Sequence, residues 1–170
     1  MKKLIRIFIA SVVLMATAHE VSAQSTANAT ASATILTAIS ITKTVDMNFG
    51  NISVQAATGG TVILSVAGVR STTGGVTLPA TGGTVTAASF TVGGEGAYTY
   101  SITLPLTPHT ISSSANNMTV TAFLSNPSGT GTLTAGTQTL TVGATLNIAA
   151  AQANGLYTSE TGFNVTVNYN

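Results

Sequence analysis

Phe163-Asn-Val-Thr-Val-Asn-Tyr-Asn170 is the stretch that decides the fold. Its odd positions are apolar and its even positions polar, a period of two that places Phe163, Val165, Val167 and Tyr169 on one face of an extended strand. The chain as given stops there, with no further run to cover that strand. A long uncovered edge invites pairing with another chain, so these four residues form a candidate C-terminal edge strand bordering a groove.

A second alternation lies near the other end. Odd positions read Ala27, Ala29, Ala31, Ala33, Ile35, Thr37, Ile39, Ile41, Lys43, Val45, Met47, Phe49, and the even ones are mostly Asn, Thr, Ser and Asp. One strand of that length would span ~75 Å at 3.3 Å per residue, far beyond the usual 3–10 residues. The run is therefore expected to divide, with 24–35 an extension outside the domain and 36–170 the domain itself. Within the domain, strands are expected over about 36–42 and 45–54. The face Ala27, Ala29, Ala31, Ala33 and Ile35 is the candidate donor strand: an extended segment that adds itself to a sheet edge is a known recognition mode. The alternative folds 27–35 back as an edge strand of its own domain.

Upstream, Lys2, Lys3 and Arg6 precede an apolar run from Ile7 to Met15, and Val21-Ser22-Ala23 offers small residues for cleavage. This is the pattern of a signal peptide over 1–23. It predicts export through the inner membrane, passage through the periplasm, and a final place at the cell surface or outside the cell. No later run approaches 18 apolar residues, so no transmembrane segment is expected in the mature chain.

Removing 1–23 leaves Lys43 and Arg70 against Asp46, Glu95 and Glu160, a net charge of −1. Nucleic-acid binding needs clustered Lys and Arg to neutralise phosphates, and two scattered cations supply none. Polarity comes instead from 31 threonines among residues 24–170, a β-branched residue suited to a pleated, half-buried surface. There is no cysteine, which removes disulfides, thiolate metal ligands and thiol chemistry. A chain of this size can build its core without them.

Gly pairs and turn dipeptides punctuate the rest: Gly59-Gly60, Gly74-Gly75, Gly82-Gly83, Gly93-Gly94, Asn126-Pro127 and Asn154-Gly155. Each stops a strand or supplies a positive φ. Between them, strands are expected over 61–69, 75–78, 85–92, 97–106, 117–125, 137–148 and 162–169, with a trace of helical periodicity only around 149–153. Many short strands with regular turn signals predict an all-β, Ig-like β-sandwich of about 7–9 strands in one domain, with a donor strand from a neighbouring subunit completing it if the groove reading holds.

Chemistry-bearing residues are few. A Ser–His–acid triad would have to use His109, which follows Pro108 in a loop-like stretch, and no nucleophile-elbow motif is present. The three carboxylates show no spacing for acid–base division. Gly93-Gly-Glu-Gly96 lacks the third glycine of a dinucleotide fingerprint and reads as a turn. No metal-ligand spacing occurs. The chain is thus expected to be no enzyme, with no catalytic, cofactor-binding or metal site and no cofactor. Tyr98 and Tyr100, two apart and sharing a strand face, raise a glycan-stacking alternative, set against packing with the hydroxyl at the rim.

Three stretches resemble known families. Asp46-Met-Asn-Phe-Gly-Asn-Ile52 resembles the Phe-Gly motif near the start of spore coat U and archaic chaperone–usher pilin domains. Ala88 to Pro105 is similar to their central hairpin, and Gly155-Leu-Tyr157 with Val165-Thr-Val-Asn-Tyr169 to their closing strand. Closer still is a bacterial secreted family known only as a domain of unknown function, which shares the Ala-Thr-Ala start, the Phe-Gly motif and the Val-Thr-Val-Asn-Tyr end. Archaic pilins usually carry a disulfide near the first strand; this chain has none. The resemblance implies a structural subunit of an extracellular fibre (a fimbrium). Its partners would be copies of itself or related subunits, with a periplasmic chaperone and an outer-membrane usher. The alternative is a self-complemented monomeric secreted or surface binding module, with glycans as candidate ligands.

Overall fold

The computed structural model describes residues 23–170; the expected leader lies outside them apart from Ala23. The chain divides into two units, Met1–Thr34 and Ile35–Asn170. In the first, residues 23–34 form no helix or strand and are exposed.

The second unit is all-β, with twelve strands and no helix among the described residues. They are β1 Ser40–Val45, β2 Ser53–Val54, β3 Gly60–Leu64, β4 Arg70–Gly74, β5 Val76–Thr77, β6 Ala88–Gly93, β7 Thr99–Thr103, β8 His109–Ser113, β9 Asn116–Asn126, β10 Thr130–Thr132, β11 Thr137–Ile148 and β12 Thr166–Tyr169. The period-2 pattern decides the longest. Along β11, Leu140, Val142, Ala144, Leu146 and Ile148 are buried, while Thr137, Thr139, Thr141 and Thr145 point away from the core. Threonine there supplies β-branched strand former on the outer face and aliphatic core on the inner one.

β11 organises the larger sheet. Its first half pairs with β6 and its second half with β3, while β9 runs along its other edge. The sheet is antiparallel, in the order β1-β6-β11-β3-β4, with β8 and β9 added beyond β11. A smaller sheet, β10-β7-β12, supplies the opposing layer, and β2 pairs with β5 separately. The apolar inner faces meet in a core that includes Val62, Leu64, Phe90, Val92, Tyr100, Leu133, Leu140, Leu146 and Val167. This is the expected β-sandwich, with more strands than expected.

Several sequence expectations are corrected. The first internal strand begins at Ser40 rather than at 36, and the expected strand over 45–54 survives only as Ser53–Val54. The odd-position alternation is interrupted around a bulge between Lys43 and Val45: Lys43 and Val45 are exposed, whereas Ile39 and Ile41 before them and Met47 and Phe49 after them turn inward. The expected strand 61–69 ends at Leu64, where Ser65 and Val69 close a turn by hydrogen bonds. Strands β4, β8 and β10 had no counterpart in the sequence reading. The stretch 149–153 is a turn, not a helix.

The Phe-Gly stretch is a fastening point. Phe49 is buried, and Gly50 takes a φ of +68°. A Cβ at Gly50 would run into the Gly82 carbonyl, so only glycine fits both the conformation and the space. Arg70 holds the turn by donating from Nη1 to the Phe49 and Asn51 carbonyls at 2.6 and 2.9 Å. The Asn51 N–H meets the Gly82 carbonyl at 2.7 Å. Arg70 therefore serves as a backbone clamp.

Candidate functional site

Several strands have a partner on one side only, β4, β8 and β10 among them, and two of these open edges, β1 and β12, lie next to each other. β1 borders β6 at the margin of the larger sheet, and β12 borders β7 at the margin of the smaller one. Among the described residues no strand pairs with the other edge of either. Half the backbone N–H and C=O groups of such an edge point away from the sheet, ready for a further strand.

Burial alternates from Phe163 through β12. Val167 is buried, Phe163, Val165 and Tyr169 are half-buried, and Asn164, Thr166 and Asn168 are exposed. Thr166 to Tyr169 pair in register with Thr103 to Tyr100 of β7. Phe163 precedes the strand proper and anchors its start: its ring lies 4.9 Å from that of Phe123 and meets Phe90 edge-on at 6.5 Å. Ile39, just before β1, and Ile41 within it pack part-buried against the same core. A seam of half-covered apolar side chains therefore runs between two open edges.

One end of that seam is fastened by three residues far apart in sequence. The Glu95 Oε2 atom accepts from the Thr37 N–H at 3.1 Å and from the Thr37 hydroxyl at 2.8 Å. The Tyr169 hydroxyl donates to the Thr37 carbonyl at 2.8 Å and accepts the Glu95 N–H at 2.5 Å. Every hydrogen-bonding group of Thr37 is thereby engaged. The two bonds from Thr37, the hydroxyl first, hold the Glu95 carboxyl below its ordinary value of 4.5. Tyr169 reaches this point by crossing over Gly94, where a Cβ would collide with its hydroxyl, and its ring meets Tyr98 edge-on at 5.9 Å. This clasp also sets direction. β1 starts beside the end of β12, so the two strands run antiparallel across the seam.

The opposite end opens into a cleft of about 420 Å³ that includes Leu104, Pro105, His109, Phe163 and Thr166. His109 belongs to β8 rather than to a solvated loop, and its ring packs edge-on against Phe163 at 6.0 Å. Its Nε2 is buried without a hydrogen-bond partner.

The candidate donor face is not built into any strand. Ala27, Ala29, Ala31 and Ala33 lie in the strandless 23–34 segment, and Ile35 is 95% exposed. Of the tyrosine pair, Tyr100 is fully buried; its hydroxyl donates to Gln138 Oε1 at 2.7 Å, and burial pushes the phenol up. Tyr100 thus offers no face to a ligand, while Tyr98 sits at the rim, half exposed. The carboxylates have separate settings. Asp46 pairs with Lys43 at 2.5 Å, both side chains exposed, a contact contributing about 0–1 kcal/mol. Glu95 belongs to the clasp, and Glu160 lies on an exposed loop. Among the described residues no three His, Asp or Glu side chains gather as metal ligands would. The clasp escaped the sequence reading: Glu95 looked like a turn residue, and its partners are 58 and 74 positions away.

Residues 39–169 match the family described as Domain of unknown function (DUF4402). The chain belongs to that family. No curated protein and no solved structure matches it. The matched range in this family member takes in β1, β12 and the seam between them, and begins two residues after Thr37.

Proposed function

We propose that this protein is a structural subunit of an extracellular bacterial fibre, assembled by donor-strand complementation. The observation that carries the reading is the seam: two open strand edges, β1 and β12, flanked by the half-buried Ile39, Ile41, Phe163, Val165 and Tyr169. Such a seam lacks one strand. The chain carries an alternating segment, 27–35, that lies outside the domain up to Thr34 and forms no strand of its own. The occupant is that segment of a second copy or a related subunit. A periplasmic chaperone would cover the seam before assembly, an outer-membrane usher would release the subunits, and the signal-peptide pattern directs them there. The resemblance of the Phe-Gly stretch and the closing strand to pilin and spore coat U domains supports the same role.

The physics of the insertion is mixed. Small Ala side chains suit a shallow seam but bury little area, whereas Ile35 contributes roughly 1.5–3 kcal/mol if fully covered. Main-chain bonds to β12 and β1 add about 0.5–1.5 kcal/mol each. Inserted antiparallel to β12, the segment places Ile35 beside the Leu104–Phe163 cleft and joins subunits end to end. A head-to-tail contact of that kind does not close and generates filaments.

The test is electron microscopy of cells carrying Ala31→Lys or Thr30→Lys. Lysine at Ala31 buries an unpaired charge in the seam and abolishes fibres. Lysine at Thr30, one residue along and hence on the opposite face, leaves them intact. Fibres from both variants, or none from the parent, contradict the reading.

A further inference from the structure

The clasp determines which copy the extension serves. Self-complementation requires residues 27–35 to double back on β1, with a reversal inside 35–39. Two features oppose that reversal. Tight hairpins need Gly, Asn or Asp at central positions where φ is positive, and Ile35-Leu-Thr-Ala-Ile39 contains none. The middle residue of that stretch is Thr37, whose N–H, hydroxyl and carbonyl are all bound to Glu95 and Tyr169. A reversal there breaks three hydrogen bonds, two of them to a charged carboxylate.

Resting on the donor-strand reading, we propose that the Glu95–Thr37–Tyr169 clasp bars the extension from its own seam, so that the partner it completes is a second copy of the chain. Thr37, Glu95 and Tyr169 are in this sense positioning residues: they enter no groove themselves but fix the exit of the segment that does.

The experiment compares the protein as processed by a bacterial host with two variants. Leu36→Asn with Thr37→Gly supplies a hairpin turn and removes the Thr37 hydroxyl, and Glu95→Ala removes the acceptor. Size-exclusion chromatography with light scattering reports assembly, and amide hydrogen exchange reports residues 27–33. In the parent, assembly is expected to rise with concentration, and 27–33 should exchange freely in whatever monomer remains. In the turn variant, monomer is expected to dominate, with exchange at 27–33 slowed on the order of 100-fold as the segment joins its own sheet. Glu95→Ala should lie between the two. Parent assembly with turn-variant monomers whose 27–33 amides stay unprotected overturns the clasp inference and leaves the donor-strand reading standing. So does a turn variant that assembles as the parent does. A parent that stays monomeric with 27–33 protected overturns both. A parent that stays monomeric with 27–33 unprotected overturns the donor-strand reading, and the inference falls with it. Should either variant fail to fold, the parent's own exchange at 27–33 in dilute monomer still decides: protection there refutes the inference.

Discussion

Val167 offers the sharpest test of how β12 is held. It is 7% exposed and faces the core, while its neighbour Thr166 has nearly the same shape and faces solvent. Truncating Val167 to alanine removes two carbons from the core. At about 0.8 kcal/mol per buried CH2 the transfer loss is about 1.6 kcal/mol. A residual cavity raises this, and partial collapse of an edge strand with one partner limits it, so the expected cost is about 2 kcal/mol. Thr166→Ala loses the same β-branching without losing burial and should stay within about 0.5 kcal/mol of the parent. Urea unfolding followed by circular dichroism measures both, with an unchanged m-value required for comparison. The paired midpoints in a thermal scan should differ by about 6–10 °C for a domain of this size. Val167→Asp, which buries an unpaired charge, should prevent folded protein from accumulating. Equal stability for Val167→Ala and Thr166→Ala would refute the inward assignment of Val167, and with it the register of the seam.

Three further outcomes are expected. Gly50→Ala should cost about 2 kcal/mol or more, because it forces a Cβ at φ +68° into the Gly82 carbonyl; a urea midpoint within error of the parent would contradict the fastening role of the Phe-Gly turn. The clasp should weaken on acidification. Its carboxyl is held below 4.5 when folded, so its contribution is fully present above that value and lost as pH falls through the lowered one. The Thr37 amide resonance should therefore titrate at acid pH in the parent and not in Glu95→Gln, and an identical titration in both would assign the effect to another group. His109→Ala should leave the biological role intact, since the ring packs on Phe163 rather than facing an acid partner; loss of a measurable turnover on any substrate would contradict the reading of this chain as a structural subunit.

Alternation made the fold legible where strands are long and one-sided. Thr137–Ile148 and Asn116–Asn126 lie within one residue of their expected bounds; apolar and threonine positions alternate through the first, and through the second as far as Thr121, before a bulge at Ala122 shifts the phase. The inward set Phe163, Val165, Val167 and Tyr169 was readable for the same reason. Short strands were not. Arg70–Gly74 runs into the Thr73-Gly74-Gly75 triplet, which reads as a turn, yet Gly60 pairs with Gly74 across a hairpin. His109–Ser113 follows two prolines and carries a polar surface. The bulge after Lys43 was also hidden, since it depends on the partner strand β6. The clasp was the least legible feature. It joins residues up to 132 positions apart, and no local pattern marks Glu95 as the acceptor for Thr37.

The central claim is that residues 27–35 of one copy fill the β1–β12 seam of another, and the absence of cysteine from the chain allows a direct measurement. Thr30→Cys is combined with Thr166→Cys in one double variant and with Asn168→Cys in a second, all outward-facing positions that leave the core intact. Side chains on adjacent strands come close enough for a disulfide to form only if the two strands pair. After mild oxidation, a non-reducing denaturing gel should show a ladder of covalent multimers for at least one pair, collapsing to a single band on reduction. A single fast-migrating monomer, closed on itself, or thiols that remain free in both pairs would contradict the account.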